Sequence, residues 1–146
     1  MVSRLKIEYY KNLLHTMKVA KAKGKINLAK PIFMLSILQG IQYGTIIDNH
    51  ITLSESLINT YKAFFNKYNQ TSLTSHIYPY YYLKSEEFYH LVGDCDRKNP
   101  TSKYLREHVE YAYLDEELWE LLQDEGARNE IKDAIVNFFI KPSTTR

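Results

Sequence analysis

Residues 31–41 leave a folded chain little choice. Ile32, Phe33, Met34, Leu35, Ile37, Leu38 and Ile41 fall on every side of a helical turn, so a helix here has almost no polar face. Such a helix is stable only when other elements cover it all round. Pro31 suits its first turn, where a missing N–H is no loss, and Gly40 and Gly44 mark its end. The rest of the chain is therefore expected to wrap this central helix. At 146 residues it is long enough to do so as one domain, expected over residues 3–140 with a tail at 141–146.

The flanking segments supply the wrapping. Leu5, Tyr9, Leu13 and Met17 recur every four residues, with Tyr10 and Leu14 beside them, and predict a helix over residues 3–22. Residues 22–27, with Gly24 among lysines, read as an exposed loop. Residues 50–53 read as a short strand, and Ser54 as the N-cap of a helix with Leu57, Tyr61, Phe64 and Tyr68 inside. Residues 78–91 hold two β-favouring aromatic runs around a polar break and predict a hairpin. Alternation along its first strand sets Tyr80 and Tyr82 on one face, Tyr81 and Leu83 on the other. Helices are expected at 101–110, 114–124 and 126–140. The class is α+β: mostly helical and winged-helix-like, with a small antiparallel sheet of short strand plus hairpin, and C-terminal helices.

Chemistry of the bond-breaking kind is hard to find. The one cysteine, Cys95, excludes an internal disulfide and a cysteine zinc cluster, and a cytoplasmic protein is the natural expectation. No signal-peptide core or membrane-length apolar run is present. The five histidines lie on different elements, without metal-ligand spacing. Glu130-Ile131-Lys132 with Asp124 upstream imitates a nuclease core, but on a helix where that core needs strands. Serine-hydrolase, phosphate-loop and dinucleotide motifs are missing. No catalytic residue, metal or cofactor is expected.

Binding is better supported. Thirteen tyrosines exceed what a small core needs, and tyrosine suits interfaces. Residues 1–30 carry eight cations against Glu8 alone, while residues 110–133 are strongly acidic. The first end suits a polyanion. The second, around residues 115–124 and Trp119, is the alternative: a surface for a protein partner or a second copy.

Four segments in register resemble one family: residues 30–37, residues 44–53, the aromatic residues 78–91, and residues 110–122. The chain resembles the sulfur-binding domain at the N-terminus of HNH-type modification-dependent restriction endonucleases, over roughly residues 5–140. That resemblance implies recognition of double-stranded, phosphorothioate-modified DNA, with cleavage left to a separate nuclease domain or subunit. It favours a sulfur seat near Tyr78, Pro79 and Tyr82. Tyr80 and Ser85 are expected beside it, with Asn27 and His76 as further contacts. Neighbouring phosphates need cations, and the candidates are Lys23, Lys25, Lys30 at a helix start and Lys84 on the hairpin. Three positions depart from the family pattern. Ala29 stands where histidine is common, Tyr82 where a small residue is common, and Glu87 where the wing turn usually has glycine.

Overall fold

The computed structural model of the chain describes residues 3–19, 21–22, 25–68, 74–93 and 98–140. The apolar segment forms helix α2 (Ala29–Tyr43), and eleven of its fifteen residues are buried. Its one buried hydroxyl, Ser36 Oγ, donates to the Ile32 carbonyl at 2.8 Å, so no polar group is stranded. Gly44 ends the helix in the left-handed conformation at φ 77°. Helices α3 (Glu55–Tyr68), α6 (Glu116–Gln123) and α7 (Glu125–Ile135) pack around it, and Ser54 Oγ accepts from Leu57 N–H at the start of α3. Buried residues from Ile7 to Ile135 form one continuous core.

Helix α1 (Arg4–His15) lies against α6 and α7 and is shorter than its periodicity suggests. Its inner stripe is Ile7, Tyr10, Leu14 and Met17, while Leu5 and Tyr9 face out at 83% and 52% exposure. Steps of four drift around a helix of 3.6 residues per turn, whereas steps of three and four stay on one side. The expected loop at 22–27 instead contains a tight antiparallel pair, β1 (Lys21–Ala22) with β2 (Lys25–Ile26).

The aromatic segment departs most from expectation. Residues 78–82 are not a strand: they belong to helix α4 (Ile77–Tyr82), and a 3₁₀ turn follows at Leu83–Ser85. Pro79 is the third residue of α4, where no intrahelical partner awaits an N–H, so the proline that would weaken a strand is harmless. The second run does form a strand, β3 (Tyr89–Gly93), but its partner is β4 (Val109–Leu114), in the antiparallel register His90↔Tyr113 and Leu91↔Ala112. Strand β4 takes residues expected at a helix end, because helix α5 (Ser102–His108) stops early. The expected strand at 50–53 contributes a single bridge, Ile51↔Ala112. The class is α+β with a small antiparallel sheet, as expected, but the sheet pairs distant segments and residues 78–91 make no wing hairpin. Among the described residues no helix is long and apolar enough to cross a membrane.

Gly93 shows why the sheet ends where it does. The register shifts between Val92 and Gly93, and Gly93 sits at φ 128°. A Cβ there would lie 2.0 Å from the His108 carbonyl oxygen. Gly93→Ala is expected to lower stability by about 2 kcal/mol or more, read as a reduced denaturation midpoint at unchanged slope.

The basic N-terminus is meshed with acids. Arg4 holds Glu130 at 2.6 Å and Glu8 at 2.6 Å, and Lys6 meets Glu117 at 3.0 Å. The hydrogen bonds from Arg4 hold both the Glu8 and Glu130 carboxyls below their usual range. A lowered carboxylate stabilises the fold above its unfolded-state value, and loses that contribution as pH falls through the folded one. Carboxyl NMR titration is expected to give Glu130 a midpoint below an ordinary glutamate, shifted back towards the ordinary value in Arg4→Met, with Lys11 still nearby.

Candidate functional site

Six of the residues singled out in the sequence border one hollow of about 440 Å³: Asn27, Lys30, Tyr78, Pro79, Tyr82 and Ser85. It opens between the N-terminal turn of α2 and the outer face of α4. Helical spacing produces that face. Tyr78 and Tyr82 are four apart, and their rings lie nearly parallel, 6.4 Å apart at 11°. Tyr80, Tyr81 and Leu83 turn into the core. The expected alternation of faces therefore fails, yet Tyr78, Pro79 and Tyr82 still share a wall.

Each part of the wall is fixed from outside it. The Tyr82 hydroxyl accepts the Asn99 N–H at 3.0 Å. Asn27 Oδ1 accepts the Ala29 N–H at 2.8 Å, and its amide donates to Thr74 Oγ1 at 3.2 Å. That Asn27 bond satisfies one of the open N–H groups at the start of α2. Beneath α4, Tyr80 Oη donates to the Ile51 carbonyl at 3.0 Å, and Tyr89 Oη donates to the Tyr80 carbonyl at 2.6 Å. Burial raises the Tyr89 phenol well above its usual value, so it stays a donor.

Lys30 is the charged member. Its ammonium donates to Ser85 Oγ at 3.2 Å and to Glu86 Oε2 at 3.0 Å. The same Glu86 oxygen accepts the Lys18 backbone N–H at 3.0 Å. The pair is shielded, with side-chain exposures of 17% for Lys30 and 8% for Glu86.

The other predicted residues stand apart. Tyr80 and His76 border a different hollow, of about 510 Å³, with Arg106 and Glu110. Desolvation, with Lys62 nearby, lowers the His76 pKa. Lys84 Nζ lies 4.0 Å from the centre of the Tyr81 ring. Lys25 is on β2, and Lys23 and Cys95 lie outside the described residues. Glu87 needs no glycine: Asn99 is the one non-glycine residue with positive φ among those described.

Sequence reasoning missed Lys18, Val19 and Thr74 on the rim, and Glu86 behind it. No local pattern announces them, because the Lys30–Glu86 contact spans 56 positions. Part of the acidic segment is engaged within the fold: Asp115 takes Tyr10 Oη at 3.0 Å and His90 Nε2 at 2.6 Å, and the partly buried Trp119 packs against the core. The nuclease-like triplet is likewise occupied. Asp124 caps α7 through the Ala127 N–H at 2.8 Å, and Glu130 binds Arg4.

The hollow thus offers apolar rings beside one clasped ammonium. Among the described residues no three His, Cys, Asp or Glu side chains gather where a metal could sit. No family profile and no curated protein sequence matches the chain. A solved structure does, described as the sulfur-binding domain of SprMcrA complexed with phosphorothioated DNA. It superposes with a TM-score of 0.68 over 91% of this chain and 85% of that one, at 17% identity. The chain has the fold of a sulfur-binding domain. That identity carries the arrangement of helices and sheet, and leaves the binding chemistry to be argued from this chain's own side chains.

Removing the ammonium would leave Glu86 shielded and short of a partner. Lys30→Met is expected to destabilise the fold by about 1–3 kcal/mol, the range for a buried polar group left unpaired. Urea unfolding of the variant beside the parent checks this.

Proposed function

We propose that this chain is a DNA-recognition module that reads phosphorothioate-modified duplex, with the hollow beside α4 as the sulfur seat. The observation that carries the reading is the meeting of Tyr78, Pro79 and Tyr82 with Lys30 at one open hollow. The fold shared with a domain solved on phosphorothioated DNA supports it. Sulfur in place of a non-bridging phosphate oxygen is larger, more polarisable and a poorer hydrogen-bond acceptor. Moving it from water to an apolar wall therefore costs less than moving oxygen. Pro79, though buried, lines the hollow with a ring that has no N–H, and the Tyr78–Tyr82 pair adds carbon faces. The hollow is far larger than one atom, so the phosphorothioate enters with part of its sugar.

The surrounding phosphates need cations and dipoles. At the rim Lys30 offers an N–H donor, the N-terminal turn of α2 a dipole, and Lys18 adjoins them. Such contacts position a duplex without reading its bases. The module recognises and does not cut; a nuclease domain or subunit would supply cleavage. The paired carboxylates of the nuclease-like triplet favour this division of labour.

Fluorescence anisotropy with matched duplexes, one carrying a single phosphorothioate, tests the proposal. The modified duplex is expected to bind at least about tenfold tighter, which is about 1.4 kcal/mol. Equal binding, or none to either, would sink the sulfur claim. Tyr78 is 41% exposed, so Tyr78→Ala spares the core. It is expected to weaken binding of the modified duplex about threefold to tenfold, the scale of one aromatic contact. Pro79→Ala is expected to remove most of the discrimination.

A further inference from the structure

The geometry points to Glu86 as a positioning residue that also limits charge-driven binding at this hollow; the inference rests on the DNA-recognition reading above. Glu86 follows the 3₁₀ turn and is almost fully covered, yet it is an acid placed behind a site meant for an anion. One oxygen, Oε2, gathers two other segments: the backbone N–H of Lys18, beyond α1, and the ammonium of Lys30, at the start of α2. With Ser85 and Glu86 itself, all three segments carry residues on or beside the rim. The carboxylate is therefore a clasp on the shape of the hollow.

The clasp has an electrostatic side. A lysine has three N–H donors. Among the described residues, two of those on Lys30 go to Ser85 Oγ and Glu86 Oε2. One is left for a phosphate oxygen, and it comes from an ammonium already held in place. Its positive charge, however, is largely offset by the carboxylate 3.0 Å away. A phosphate at the rim meets a directed donor but little net attraction. Plain and modified phosphodiester groups carry the same charge, so the offset lowers their binding equally. What then separates bound from unbound duplex is the fit of sulfur to the apolar wall. Lowering the shared term keeps unmodified DNA from occupying the site without weakening the preference itself.

Two substitutions separate the roles. Glu86→Gln is nearly isosteric and keeps an oxygen for Lys18 and Lys30 while removing the charge. It is expected to raise affinity for plain and phosphorothioate duplexes by the same factor, roughly twofold to fivefold, the scale of releasing one ion pair. The log–log salt dependence is expected to steepen by up to about 0.9, one further phosphate neutralised. Glu86→Ala removes the clasp as well, and is expected to lose sulfur preference. Circular dichroism of both variants reports whether the fold is retained. If Glu86→Gln leaves plain-duplex affinity and salt slope at the parent's values, the inference is wrong although the recognition reading stands. If the parent protein itself shows no preference for the modified duplex, it is the recognition reading that fails. If Glu86→Ala folds and keeps the parent's preference, the positioning role is refuted.

Discussion

An all-round apolar helix cannot rest on a surface; it must be enclosed. Helix α2 imposes that condition on the whole chain, and α3, α4, α6 and α7 are the enclosure. Helices α3, α6 and α7 turn an apolar stripe inward and leave a polar side in water, whereas α4 is aromatic on its outer face as well. The two ends of α2 differ. Its C-terminus is closed by Gly44, whereas its N-terminal turn, largely covered, borders the hollow with Asn27, Lys30 and the outer rings of α4. The candidate site lies at that covered start of the central helix.

Charge is distributed differently in space than along the chain. The cationic N-terminal segment reads as a polyanion surface, but Arg4, Lys6 and Lys11 point at Glu8, Glu117 and Glu130. Exposed pairs of this kind contribute little stability each. They do convert an apparent basic face into a seam joining α1 to α6 and α7. At the hollow Lys30 is itself paired with Glu86, and on the proposed reading the apolar wall carries more of the selectivity than that lysine does.

The helices were legible because their apolar residues recur with helical spacing and their caps are local: Ser54, Gly44 and Pro31 act within one turn. Strand pairing was not, since β3 finds β4 about twenty residues on and Ile51 reaches Ala112 from far upstream. The aromatic run 78–82 was misread because tyrosine's preference for strands competes with an environment that buries Tyr80 and Tyr81 and places Pro79 in a first helical turn. Even so, Tyr78, Pro79, Tyr82, Lys30, Asn27 and Ser85 do meet, because the segments that carry them keep their neighbours in the fold. Tyr80 went astray for the same reason that the strand did: on a helix it turns to another side, and His76, at the cap before α4, borders the same second hollow. Glu86 was invisible, as a buried acid is explained only by the distant lysine it holds.

The phenol of Tyr89 suspends α4 from the sheet by its bond to the Tyr80 carbonyl. Tyr89 is fully enclosed, so this tether does not exchange with water. On the proposed reading, a wall hung from the core in this way is set before a guest arrives, so little of the binding free energy is spent on ordering α4.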